Sequence, residues 1–332
     1  MRLIHEHGGI SITRKVVFVL IALIVLCTPA FGQITAAKSC EIRGQVATGD
    51  FEWNAQNFAG FYYDIDNDLG TERIITTLTE GYKLSGDAPY GVTYTTTAQT
   101  NEYEFEDWGS YKVIGFLAEK YFAGYNEGEY DGSNIFFKES TDENSLSREQ
   151  LEKILIDDDT EKTVTSNTPV KLAEGYELVI KLIDTNAMYL ELTKNGQVID
   201  SRVISPSRES ATVADKTYYY RNPAVGDQKN LVTIGVHFKN AINIQNQTVA
   251  TVDGIWQISE TPTNVKAYTQ YDMMTISSVD SNSGIITMEN KDNYITLSKN
   301  KDIMLMGDIK IKTANNDALR YYIFSEEKCQ CK

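Results

Sequence analysis

The acidic run Asp64-Ile65-Asp66-Asn67-Asp68-Leu69-Gly70 is the most conspicuous candidate for chemistry, because closely spaced carboxylates are what a hard divalent cation takes as ligands. Its spacing misses that of a calcium loop. Glycine falls seventh instead of sixth, and Ile75 stands at the twelfth position, where a bidentate glutamate belongs. Strand-like alternation would instead set Asp64, Asp66 and Asp68 on one wet face and blunt a sheet edge. Asp157-Asp158-Asp159 reads as an acidic helix exit and a candidate weak contact for a divalent cation between copies. Cys329-Gln330-Cys331 with the distant Cys40 offers three thiols, one ligand short of a zinc site; a bridge from Cys40 to Cys329 or Cys331 is the alternative. No glycine-flanked nucleophile elbow, zinc-protease helix, phosphate loop or dinucleotide turn occurs. His237, between Val236 and Phe238, reads as a structural strand histidine. Trp53, Trp108 and Trp256 are candidates for a sugar platform, but aromatic residues also fill cores. A carboxylate pair for glycoside cleavage leaves no local signature, since its partners need not be near in the chain. We expect no enzyme, no cofactor and no metal site.

The chain has 332 residues with 46 acidic against 31 basic side chains and a net charge of −15. An apolar share of 42% argues for folded cores, and the absence of a basic stripe speaks against a nucleic-acid partner. Arg14-Lys15, the apolar stretch Val16 to Cys27 and the small-residue exit Ala30-Phe31-Gly32 read as a secretory signal peptide over residues 1–32. That stretch is too short to span a bilayer, for which about 20 residues are needed. An exported chain makes Asn246-Gln247-Thr248 a glycosylation acceptor at Asn246.

These groups must be carried by strands. Met188 to Thr193, Asn293 to Ser298 and Asp308 to Lys312 alternate apolar and polar residues, and Asn195-Gly196 marks a tight hairpin. One short helix is expected from Ser147 to Ile156, where Ser147 and Gln150 have capping-box spacing. An internal echo runs through the second half. Ser166 to Pro169 resembles Ser259 to Pro262, Tyr176-Glu177 resembles Tyr271-Asp272, and Thr217 to Arg221 resembles Leu319 to Ile323. Ordered landmarks of this kind indicate duplication. The expectation is an all-β chain of two related antiparallel β-sandwich domains in tandem. They cover 40–221, with extra N-terminal strands, and 231–325, joined by a linker at 222–230 and followed by a cysteine-containing tail at 326–332.

Longer runs carry a resemblance. Gly49-Asp50-Phe51-Glu52-Trp53-Asn54, Phe105 to Tyr111, Ala118 to Tyr125, Asp253 to Ile258 and Leu297 to Ile303 resemble the surface-layer (S-layer) proteins of methanosarcinal archaea, over about residues 40–325. The resemblance implies a two-sandwich, non-enzymatic unit that tiles with itself or with other S-layer subunits into a porous, negatively charged coat at the cell surface. Lattice-forming members carry two copies of the domain, a stalk and a C-terminal anchor. This chain shows one copy and no evident transmembrane anchor. The rival readings are a secreted carbohydrate-binding or adhesive module, which predicts exposed coplanar aromatics, and a glycoside-cleaving enzyme, which predicts paired carboxylates in a cleft.

Overall fold

Period-two patterning governs most of the chain, and the computed structural model sets those segments in antiparallel strands. The structure describes residues 39–126, 134–141, 144–166, 168–182, 187–244 and 247–328. Met188, Leu190 and Leu192 line the buried face of the strand Met188–Lys194. Asn195 and Gly196 turn it at φ of 50° and 81°, the left-handed region that a two-residue hairpin requires. The chain then returns as Gln197–Ile204.

Two sandwich cores form. The inner one is drawn from residues 164–255. Its four-stranded sheet runs Val170–Lys171, Tyr176–Leu182, Met188–Lys194, Gln197–Ile204. Leu178, Ile180, Leu190 and Leu192 of that sheet pack with Val236, Phe238, Ala250 and Val252 of the Leu231–Ile244 and Gln247–Ile258 strands. The outer core draws on residues 47–151 and again on 265–323. It joins a six-stranded sheet, containing Ile74, Tyr94, Ile276 and Met288, to a four-stranded one containing Ile309, Ile311, Tyr321 and Ile323. An aromatic seam built on Tyr103, Trp108, Tyr111, Phe136 and Trp256 forms a third cluster along the nine-stranded sheet. Tyr103 stands edge-on to Trp256 with ring centres 4.9 Å apart, a favoured geometry for such pairs.

The expected tandem boundary at 222–230 differs from the pairing. Thr217–Asn222 pairs with Leu231–Ile244 across that segment, and Gln150–Asp158 pairs with Gln247–Ile258. Gly91–Thr97 pairs with Ile285–Glu289. The inner core is therefore nested within the outer one. Residues 222–230 are a tucked turn, not a linker: Val225 and Gln228 are fully buried and exchange backbone hydrogen bonds at 3.0 Å. Glu41–Glu327 forms a single contact unit. The described residues 39, 40 and 328 fall outside it. The strand Tyr321–Lys328 takes up the first part of the expected tail.

The helix expected over 147–156 is also corrected. Ser145–Arg148 is a single 3-10 turn capped by Asn144, whose side-chain oxygen accepts from Ser147 N, and Glu149 ends it at φ 53°. Gln150–Asp158 is a strand. Leu151 enters the outer core while Glu152, next to it, is buried on the other side, a division that only a strand allows. Two short α-helices occur elsewhere, Ile135–Glu139 and Val213–Lys216. The echoed landmarks fall on the hairpins around Tyr176–Leu182 and Met274–Asp280, which lie in different sheets.

Buried polar side chains tie the nested parts together. Asn290, fully buried, accepts from Val92 N at 2.7 Å and donates to Leu84 O at 3.1 Å and Asn293 O at 2.7 Å. Glu72 accepts from Tyr62 N, Ala118 N and Tyr94 OH at 3.1, 2.8 and 2.9 Å. Glu152 accepts from Ser145 OH and from the side-chain amides of Gln150 and Gln228. Burial outweighs these donors and pushes both carboxyls up from 4.5 to about 7.

Two outcomes are expected. Asn290→Ala strands Val92 N and Leu84 O beneath the sheet and should lower the unfolding free energy by about 2–4 kcal/mol in denaturant titration; a loss below about 0.5 kcal/mol would show that the latch is dispensable. Glu72 and Glu152 keep protons in the fold at pH values where the unfolded chain has released them. Their contribution is full below pH 4.5 and is lost as pH rises toward about 7. His237, buried and shifted down, acts in the opposite sense near pH 6.5. The difference between wild type and Glu152→Gln isolates one carboxyl. The variant should gain stability relative to wild type between pH 4.5 and 7, and an unchanged difference over that range would contradict this.

Candidate functional site

The chemistry-bearing residues are mostly spent inside the fold. Trp53, Trp108 and Trp256 are fully buried. Their indole N–H groups donate to Gln45 O at 2.9 Å, Thr217 Oγ1 at 3.2 Å and Tyr125 OH at 3.2 Å. None of the three is placed to stack on a sugar. They fill two different clusters, with Trp53 in the outer core and the other two in the aromatic seam.

His237 sits where the Leu231–Ile244 and Gln247–Ile258 strands pair. Its Nδ1 lies 2.5 Å from Asp253 Oδ1, and its ring stacks on Phe105 with centres 4.2 Å apart. Burial lowers its pKa against the pull of the Asp253 carboxylate. Sequence reading missed this pair because it forms only once the hairpin register sets His237 opposite Gly254 and the bulge there leaves Asp253 beside the ring. The pair fixes the strand junction.

Asp253 also lines an acidic depression of the surface. This hollow has a volume of about 330 Å³ and is lined by Glu104, Phe105, Glu106, Asp107, Asp159, Glu161 and Asp253. Lys239 pairs with Glu161 at its edge. The carboxyls displaced furthest upward, Glu72, Glu152 and Asp157, do not line it. The hollow can concentrate cations as a diffuse negative field. Among the described residues no group of three or more acidic, histidine or cysteine side chains has the geometry to hold a metal ion.

The three acidic residues at 157–159 diverge. They end a strand, not a helix. Asp157 is half-buried with its side chain covered, accepts from Tyr111 OH at 2.9 Å and Glu104 N at 3.1 Å, and is pushed up to about 6 by desolvation against the nearby Lys120. The Lys162 and Thr160 side chains hold Asp158 down at about 2. The run at Asp64 to Gly70 is a narrow ribbon, Tyr63–Asp64 against Leu69–Gly70. Asp64 Oδ1 accepts from Asp66 N and Asn67 N at 3.1 Å, so the carboxylate closes its own turn instead of alternating along an edge.

Cys40 is disulfide-bonded. Cys329, Cys331, the leader at 1–32 and the acceptor Asn246 lie outside the described residues. No described helix is long and apolar enough to cross a membrane.

Residues 43–315 match the model of the S-layer protein family. The chain is 29% identical over 306 residues to a major S-layer protein of Methanosarcina mazei, covering 90% of this chain and 42% of the relative. Major S-layer proteins of Methanosarcina barkeri and Methanosarcina acetivorans are each 27% identical, covering 87% and 90% of this chain and 40% and 42% of theirs. The chain thus spans about two fifths of the length of the curated relatives it matches. The matched span takes in strands of every sheet from both portions of the outer core and the whole inner core, and on that basis the chain belongs to the S-layer protein family.

Proposed function

We propose that this protein is a structural, non-enzymatic subunit of an archaeal cell-surface coat, exported by its leader at residues 1–32 and associating with copies of itself or with other S-layer subunits. The observation that carries the reading is the family match over residues 43–315. The placement of the reactive groups supports it: all three tryptophans are buried, and His237 is engaged by Asp253 and Phe105. What the exterior offers instead is shape, free sheet edges and negative charge. Openings between tiled copies would then be lined by acidic side chains such as those around Asp253 and Glu161, passing cations and neutral solutes more readily than anions. Divalent cations would bridge such surfaces, and a glycan at Asn246 would lie on the exported face. A bridge from Cys40 to Cys329 or Cys331 would tie the first strand to the tail. The alternative of a carbohydrate-binding module is weakened by the burial of all three tryptophans.

Cell fractionation with electron microscopy of the purified chain, with and without calcium, tests this reading. The chain should be recovered with the envelope and form ordered sheets, more completely with calcium. Recovery from the medium alone, as a monomer under both conditions, would contradict a coat role.

A further inference from the structure

Most sheet edges of the described residues are short. The terminal strands Val170–Lys171 and Gln270–Tyr271 have two residues, Phe51–Asn54 and Gln99–Glu102 four, and Thr217–Asn222 six. Gln197–Ile204 is the exception, with eight, and among the described residues it pairs only with Met188–Lys194. Long unpaired edges are blunted by lysine, proline, inward-pointing charges or bulges. This one has a bulge and the charges of Asp200 and Arg202 but neither lysine nor proline, and it presents Val198, Ile199 and Val203 at 57%, 41% and 54% exposure. A bulge where Asp200 faces Leu192 and Val198 faces Thr193 leaves Ile199 without an opposite residue inside the sheet.

The order of side chains along this edge is self-complementary. Val198-Ile199-Asp200-Ser201-Arg202-Val203-Ile204 reads apolar, apolar, acid, serine, base, apolar, apolar from either end, with the charges exchanged. Two copies laid antiparallel about Ser201 would set Asp200 against Arg202 of the second copy and Ile199 against its Val203, in both directions at once. Shifting the register by two residues either way sets Asp200 against Asp200 or Arg202 against Arg202, and parallel in-register pairing sets both like pairs together. The charges therefore select one arrangement and penalise its neighbours. The two faces divide the work. Asp200 accepts from Tyr218 OH at 2.6 Å and the Arg202 guanidinium lies 3.6 Å from the Tyr219 ring centre, so both charges are already oriented on the inner face. Ile199, Ser201 and Val203 stand on the outer face, where Tyr189 of the neighbouring strand lies opposite Val203. The stretch is also locally neutral within a chain of net charge −15, which removes the repulsion that two such molecules would otherwise meet.

We propose that Gln197–Ile204 is a copy-to-copy contact at which two molecules join their inner sheets edge to edge about a two-fold axis at Ser201. The partner is a second copy of this chain, and the contact is isologous. The proposal rests on the coat reading and specifies one of its contacts. A single strand pair is a small interface, suited to a weak bond that is reinforced when each molecule is held at several edges.

The chain purified from cells that export it can be tested with surface substitutions. In Ser201→Cys, the two introduced thiols would lie on the axis with Cα atoms about 4.5–5.5 Å apart, within disulfide reach. Mild oxidation should yield a 201–201 cross-linked dimer, identified by peptide mass spectrometry, whereas Gln197→Cys should yield none. Ile199→Lys should weaken self-association about tenfold or more in sedimentation. Ile199→Lys with Val203→Glu should restore it through a new ion pair between copies. If the native chain associates but Ser201→Cys forms no such link and Ile199→Lys associates like the native chain, this edge is not the contact and the coat reading stands on other surfaces. A native chain that stays monomeric at all concentrations, with no 201–201 link, would overturn both.

Discussion

The pairing of Gly91–Thr97 with Ile285–Glu289 is the constraint on which the rest of the molecule depends. It joins strands that lie far apart in the chain, so the inner-core segment between them must leave the outer sheets and return. The inner sandwich is that excursion, and its own strands come back through Gln150–Asp158 and Gln247–Ile258, which pair with each other. Closing so long a loop costs chain entropy, though the cost grows only slowly with length. Apolar burial on both sides of the junction and the Asn290 latch against Val92 and Leu84 oppose it. The two portions of the outer core thus become one body with the inner core between them.

The same demand for internal completion explains why a chain with 46 acidic side chains has so few groups poised for reaction. Glu72 and Glu152 are buried acceptors that bind turns to strands, and their raised pKa values follow from that burial. A raised carboxyl is a mark of catalysis when it faces a cleft. Glu72 lines a surface depression with Glu52, Arg73 and Thr95, but its oxygens accept from Tyr62 N, Ala118 N and Tyr94 OH, and those of Glu152 from Ser145, Gln150 and Gln228. His237 is occupied in the same way by Asp253 and Phe105. Acidic side chains that are not buried gather at the surface, as in the hollow beside Asp253.

Much of this was legible in the amino-acid sequence wherever a local rule decides the outcome. Alternation marked Met188–Lys194 and Ile309–Thr313, and Asn195-Gly196 marked the hairpin, because side-chain period and left-handed turns are properties of adjacent residues. The resemblance in Phe51 to Asn54 and Asp253 to Ile258 pointed to the family that the comparison of residues 43–315 shows. What was not legible is partnership. Leu151, Ile154 and Leu155 fit a helical face as well as a strand, and only the pairing of that segment with Gln247–Ile258 decides between them. Residues 222–230 read as a linker because glycine and proline punctuate them, whereas Val225 and Gln228 are drawn into the interior. Duplication suggested neighbours in tandem, but sequence order says nothing about which edge a strand completes. The Asp253 partner of His237 was hidden for the same reason.

The nesting of one sandwich within the other is the central structural claim, and a fragment tests it most directly. Residues 39–222, produced alone, contain nearly all of what a tandem first domain would need but lack Leu231–Ile244, Gln247–Ile258 and Ile285–Glu289, which complete their sheets. Amide hydrogen exchange on this fragment beside the full chain should find the Gly91–Thr97 and Thr217–Asn222 amides protected in the full chain and exchanging at unfolded rates in the fragment. Protection of those amides in the fragment, with cooperative unfolding, would contradict the nested account and restore two independent domains.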